Sequence, residues 1–327
     1  MQTRKKNRVK KPQSKKKEDL VIAFDLGGTK LASAVVTLDG RILEEVREAV
    51  EFKKGKDGFI NFLTQSALRL QKKYPSVKAL GIGSCGPLDP EKGILLQPTN
   101  FPKWGDISIV APLKKALKIP VAVQNDAAAA ALAEGCFGSA RKMRNWVVLT
   151  LGTGLGTGIV MNRKVFLGGS GLGPEAGHMI VTDAPYLCGC GNYGCAESVL
   201  SGTSLQKRIA ERKLSYKNSV ELVKGARKKE PKACEIFAEY AEVMARTIHN
   251  LAIMYKPEGI FLSGGLSEAS DLFLKSTQEK LKPMLKGRPG FEPQISVSKL
   301  GNELGVLGGA YVGFEAIDLV SSGLKKD

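Results

Sequence analysis

Cys188, Cys190 and Cys195 lie within eight residues, and His178, one of two histidines in the chain, stands ten residues before the first of them. Three thiolates and an imidazole complete a tetrahedral zinc set with no ligand position left for water, the pattern of a structural zinc. Gly189, Gly191 and Gly194 let the backbone turn tightly enough to gather the sulfurs. Buried free cysteines or a disulfide are the alternatives, although Cys188 and Cys190 are too close in sequence to pair without strain. Glu175 and Glu197 bracket the set. A metal-fixed loop between two acids predicts a rigid polar pocket beside it.

A second group of residues points to phosphate. An apolar run over 20–26 enters Gly27-Gly28-Thr29 and leaves as a β-rich run over 31–38. The same order recurs where 146–151 enters Gly152-Thr153-Gly154-Leu155-Gly156 and leaves over 157–161. No Gly-Lys-Ser/Thr follows, so neither turn is a P-loop. A strand rather than a helix comes next, so neither is a Rossmann turn. Taken singly, a glycine hairpin is usually just a turn. Two of them, with Asp25 in the first, suit a nucleotide held between two related domains by backbone N–H groups. Ser263-Gly264-Gly265 makes a third glycine turn at a strand's carboxyl end, where α/β folds bind ligands. Asn125-Asp126 opens an alanine-rich helix through Ala133. The pair either caps that helix or supplies a catalytic carboxylate, and the helix dipole predicts a lowered Asp126 pKa.

The elements that must position these residues follow from periodicity. Asp39-Gly40 signals a hairpin into a third strand over 41–50. Phe59, Phe62, Leu63, Ala67 and Leu70 keep a helical period. A buried strand over 77–83 leads into the turn-rich Ser84-Cys85-Gly86-Pro87-Leu88-Asp89. A short helix at 113–117 and a strand at 120–124 precede Asn125. Residues 233–255 read as a long helix stopped by Pro257, with His249 as a structural histidine. A strand at 259–262, a helix at 272–285, a strand at 295–297 and a helix over 304–320 complete the chain.

At 327 residues the chain has room for two domains with substantial cores, and 43% hydrophobic with 25% charged residues is ordinary globular composition. No apolar run approaches the roughly 18 residues that span a membrane. The basic N-terminus has no apolar segment followed by a small-residue cleavage site, so no secretory signal is expected. Six cysteines, three in one cluster, fit a reducing compartment, and a cytoplasmic location is expected. Residues 1–18 carry nine Lys or Arg and one acid, without apolar periodicity. They are expected to be a disordered tail, either solubilising or able to bind polyanions. No helix-turn-helix pattern is present there, so sequence-specific DNA binding is not expected.

Together these motifs resemble the ROK family (repressors, open reading frames and kinases), specifically its sugar kinases. Asp25-Leu26-Gly27-Gly28-Thr29-Lys30 looks like the family's first phosphate loop and 151–158 like the second, with Gly152, Thr153, Gly154 and Gly156 as nucleotide ligands. Ser263-Gly264-Gly265 looks like the adenosine-side turn. Glu175-Ala176-Gly177-His178 and the cysteine run through Glu197 look like its zinc and sugar signature. The resemblance implies an α/β, actin-like ATPase (ribonuclease H-like) fold with two α/β domains around a cleft, usually in a homodimer. Residues 19–124 would form the first domain and 125–303 the larger one with the zinc site, while helix 304–322 packs back on the first. It implies Asp126 as catalytic base, and Asn100, Asn125, Asp126, Glu175, His178 and Glu197 as sugar ligands, with Asp25 near the metal and phosphates. Mg-ATP, a hexose and a structural zinc are the implied ligands. The expected activity is a glucokinase acting at the 6-hydroxyl, with N-acetylhexosamine or fructose kinases and a non-catalytic sugar-sensing regulator as alternatives. Cys85 stands where the family usually has proline, in the loop that borders the sugar.

Overall fold

The computed structural model describes residues 18–50, 52–98, 101–169 and 172–318. Asn100, the tail up to residue 17 and residues 319–322 of the expected last helix lie outside the described residues. Glu18, grouped with the tail by its charge, instead pairs with Arg41 Nη2 at 2.8 Å.

Two five-stranded sheets share one connectivity. In the first, β1 (Leu20–Leu26), β2 (Lys30–Thr37) and β3 (Ile42–Ala49) form an antiparallel meander. After helix α1 (Gly55–Lys73), strand β4 (Val77–Ser84) joins β1 in parallel. A small sheet of β5 (Leu88–Asp89), β6 (Ile94–Leu95) and β7 (Ile107–Ser108) and helix α2 (Val110–Leu117) precede β8 (Val121–Asn125), parallel to β4. The order is β3-β2-β1-β4-β8. Helix α3 (Asp126–Cys136) leads to the second sheet, where β9 (Trp146–Leu151), β10 (Leu155–Met161) and β11 (Lys164–Val165) form the meander. Helices α4 (Glu197–Leu200), α5 (Gly202–Glu211), α6 (Ser219–Arg227) and α7 (Pro231–Tyr255) follow. Strand β12 (Gly259–Ser263), helix α8 (Leu274–Met284), strand β13 (Gln294–Val297) and helix α9 (Leu304–Glu315) end the described chain. The order β11-β10-β9-β12-β13 repeats the first sheet position for position.

Burial explains the layering. All of β1 except Asp25 is buried, as a strand covered on both faces must be. Leu20, Ile22 and Phe24 face α1 and α2, and Val21 and Ala23 face the other way. That second face joins α3, α9, Trp146, Val148 and Phe261 in a core between the two sheets. The second sheet's other face packs against α5, α6, α7 and α8. Trp146 Nε1 donates to Ala131 O at 2.7 Å, tying β9 to α3. Helix α9 lies directly on β1 and β4, and glycine makes this approach possible. A β-carbon at Gly81 would stand 2.1 Å from both Gly309 O and Gly313 N. Most of the strands and helices expected from periodicity stand within a few residues of their anticipated positions. The last helix is shorter than expected, ending at Glu315. No helix among the described residues is long and apolar enough to cross a membrane.

Candidate active site

The glycine turns and the acids meet in one cavity of about 820 Å³. Gly27 and Gly28 from the β1–β2 turn line it, with Gly152, Thr153, Gly154 and Gly156 from the β9–β10 hairpin, and Gly264 after β12. Asn125, Asp126, Glu175, His178 and Glu197 line it too. Thr29 and Lys30 are exposed outside this lining, where Thr29 O accepts from Val50 N and Lys30 O from Gly27 N, both at 2.9 Å. Their carbonyls close the turn that presents Gly27 and Gly28.

Asn125 and Asp126 divide the work that the sequence left open between them. Asn125 Oδ1 accepts from Ala127 N and Ala128 N at 3.0 and 3.1 Å, so Asn125 is the cap of α3. Its amide nitrogen stays available to the cavity, near Gly86. The Asp126 carboxylate accepts from Ala127 N at 2.7 Å and opens onto the cleft. The expected low pKa is not found. Asp126 keeps an exposed edge toward the cleft, but the protein around the cleft floor displaces much of its water, and the charges of Asp25 and Glu175 oppose its ionisation, so its pKa is pushed up to about 6. Desolvation outweighs the helix terminus here. Asp25 follows the same logic: burial raises its pKa, and Arg47 lowers it in part. Gly305 of α9 leaves room for this carboxylate, because a β-carbon there would lie 2.2 Å from Asp25 Oδ2.

Glu197 joins two loops. Its Oε2 accepts from Leu155 N at 2.9 Å, directly beneath the β9–β10 turn. Its Oε1 lies 3.7 Å from Cys188 Sγ. Burial raises the Glu175 pKa, with His178 lowering and Glu197 raising it.

The ligand atoms of His178, Cys188, Cys190 and Cys195 lie within 4.8 Å of one another. Cys188 Sγ is 3.6 Å from His178 Nδ1, and Cys190 Sγ is 3.7 Å from Cys195 Sγ. Sulfurs about 2.3 Å from a tetrahedral zinc stand about 3.8 Å apart, so the set fits that ion. The same separation is far from the roughly 2.05 Å of a disulfide. Engagement of Nδ1 leaves His178 Nε2 for another partner.

A second cavity of about 820 Å³ opens on the far side of Gly152 and Thr153. Gly265 lines it, with Gln206 and Lys207 of α5 and Val220 and Lys224 of α6. Residues 201–228 carry no motif that would have announced this wall. Their only sequence signal is amphipathic helix periodicity, which says nothing of a ligand.

A sequence model of the ROK family matches residues 21–314. The glucokinase of Thermotoga maritima is 31% identical over 310 residues, covering 89% of this chain and 96% of its own. A xylose repressor of Caldicellulosiruptor bescii is 27% identical over 305 residues, covering 88% of this chain and 76% of its own. A ROK family glucokinase from Streptomyces griseus, solved with glucose and AMPPNP, superposes with a TM-score of 0.77 at 29% identity, covering 90% of this chain and 99% of its own.

Proposed function

The chain belongs to the ROK family and has its actin-like ATPase fold, and from there we propose that it is an ATP-dependent hexokinase acting on the 6-hydroxyl of glucose. The observation that carries this reading is the meeting of Asp126, Glu175, Glu197 and His178 with three glycine turns in one cavity. A sugar offers only hydroxyls, so its pocket needs groups that accept and share several hydrogen bonds. Asn125 Nδ2, Glu175, Glu197 and His178 Nε2 supply them beside Asp126, and the family resemblance adds Asn100. Phosphoryl transfer needs positioning and charge stabilisation more than covalent help. The ATP phosphates rest on the N–H groups of Gly27–Gly28 and Gly152–Gly156, with adenosine in the second cavity against Gly265. Asp25 faces the magnesium of Mg-ATP, where a desolvated carboxylate gains from a cation.

Asp126 accepts the proton of the sugar hydroxyl. The freed oxygen pair forms the bond to the γ-phosphorus while the bond to the bridging oxygen breaks, and ADP leaves. Zinc, held by His178 and the three cysteines, supplies no step and fixes the loop that presents His178 and Glu197. The first domain is taken as 19–124, the second as 125–303, and the enzyme as a cytoplasmic homodimer.

Purified protein given Mg-ATP and a panel of glucose, mannose, fructose, N-acetylglucosamine and N-acetylmannosamine tests the assignment. Glucose should give the highest kcat/KM. A preference for an N-acetylated sugar would move the substrate, and tight sugar binding without turnover would favour a regulator, a role that the name of the repressor relative brings into view.

The charge state of Asp126 sets a pH dependence. A base must be ionised, and a pKa raised to about 6 means that it takes up a proton as pH falls through that value. The kcat/KM for sugar, which reports the free enzyme, should therefore be level above pH 7 and drop about tenfold per unit well below pH 6. A profile level down to pH 5 would contradict a desolvated base.

We further propose that residues 1–17, with nine Lys or Arg, tether polyanions without joining the active site. Their removal should leave ATP kinetics within about twofold, since so charged a segment, without apolar periodicity, is not expected to join the folded core. Retention on heparin should fall and lose salt dependence. Loss of ATP-dependent activity in a folded truncation would place the arm in the active site.

A further inference from the structure

One buried arginine has no part in the chemistry above. Arg208 of α5 is 1% exposed. Its Nη2 donates to Val199 O at 2.5 Å and its Nη1 to Glu239 Oε2 at 3.2 Å, and its guanidinium lies 5.0 Å from the Tyr186 ring centre. Arg212 Nη2 donates to Glu239 Oε2 at 2.8 Å and to the Tyr186 hydroxyl at 2.9 Å, and that hydroxyl donates to Glu239 Oε1 at 2.8 Å.

What this network grips is informative. Helix α4 is four residues long and begins with Glu197. The last four carbonyls of a helix lack partners within it, so α4 cannot hold itself. Arg208 takes the carbonyl of Val199, and the Tyr240 hydroxyl takes that of Leu200 at 3.0 Å. Tyr186 lies two residues before Cys188, so the same guanidinium also seats the cysteine loop. The opposite face of α5 carries Gln206 and Lys207 into the second cavity. Its first turn is tied to the β9–β10 hairpin by Gly202 N to Gly152 O and Thr203 Oγ1 to Thr153 O, both at 2.8 Å.

We propose that Arg208 is a positioning residue that makes α5 a coupling element, so that nucleotide in the second cavity strengthens sugar binding at Glu197. The proposal rests on the kinase reading above. By linkage the effect is reciprocal: sugar tightens the nucleotide by the same factor. Arg208→Lys keeps the charge but loses the fork that reaches two acceptors at once.

Calorimetric titration of the full-length chain with glucose, in the presence and absence of saturating Mg-AMPPNP, reads the coupling factor. Wild type should bind glucose about fivefold or more tighter with the nucleotide present. In Arg208→Lys that factor should fall below about twofold, with affinity for AMPPNP alone kept within about threefold. A structural role alone would weaken both ligands and leave their ratio unchanged. Should Arg208→Lys fail to fold, Glu239→Gln decides, since it removes the charge that anchors Arg208 Nη1 and Arg212 Nη2 and leaves the Tyr186 ring and Val199 O in place. Folded variants with the wild-type factor would overturn the proposal. Wild type binding both ligands with a factor near one would overturn it too, while binding of neither would defeat the kinase reading instead.

Discussion

Asp126→Asn should lower kcat by about 10²–10⁴-fold, the range lost when a general base is removed, while sugar still binds. The amide keeps the size and can still accept from Ala127 N, but it cannot take the hydroxyl proton. The same substitution should stabilise the protein. The Asp126 pKa rises from 3.8 to about 6, so folding disfavours its ionised form. The penalty is absent below pH 4, grows as pH rises through the folded pKa, and is complete above it. The shift corresponds to at most about 3 kcal/mol. The carboxylate opens onto cleft water, and screening reduces that to about 1 kcal/mol. A higher melting temperature at pH 8 that disappears at pH 4, together with lost turnover and retained glucose binding by calorimetry, is the expected result. An Asn variant within tenfold of the wild-type rate, about 1.4 kcal/mol of barrier, would remove Asp126 as the base.

Cys190→Ser should cost the protein its zinc and raise the sugar KM by about tenfold or more, with kcat less affected. Cys188 and Cys195 are buried, but the loop around them gains little more from burial, because Leu187 and Tyr193 are 51% and 59% exposed. Its backbone ties hold the ends of the loop, through Cys188 N to Asn192 O, Gly191 N to Cys188 O, Gly194 N to Tyr186 O, Val181 N to Gly194 O and Ala196 N to Met179 O. A metal bond would therefore be the main clamp around Cys190, and its binding energy would be folding energy for this loop. Cys190 is exposed, so serine there disturbs no packing and the effect reports the metal. Elemental analysis of native protein should give one zinc per chain. A zinc-free native protein, or a Cys190→Ser enzyme with wild-type KM, would sink the idea.

Much of the molecule could be read from its residues because local signals and tertiary roles agreed. The run of β1 into Gly27-Gly28 and of β9 into Gly152–Gly156 is visible as a continuous apolar run followed by turn residues, and the two sheets repeat it. The gathering of His178 with the three cysteines was legible from their spacing. The raised pKa of Asp126 was not, because it depends first on desolvation in the folded cleft and then on Asp25 from β1 and Glu175 from another loop, which no local pattern reports. Cap and carboxylate in Asn125-Asp126 could not be separated before the hydrogen bonds of Asn125 were known. The wall built by Gln206, Lys207 and Lys224 was invisible because exposed polar residues on an amphipathic helix look alike whether they face solvent or a cavity. The glycines of α9 were read as part of a helix without a reason for their number, which only its contact with β1 and β4 supplies.

That contact also bears on how the gene can drift. Where Gly81 meets Gly309 and Gly313, every codon change that alters the residue adds at least a β-carbon, and at Gly81 that carbon would lie 2.1 Å from main-chain atoms that cannot swing aside. Such a seam has no neutral mutational neighbours: a substitution on one side cannot be compensated by a smaller residue on the other, since none exists. Sequence change is therefore easier to absorb on the exposed face of α8, which lines neither cavity, while the line where α9 lies on the first sheet admits only glycine as long as this packing persists.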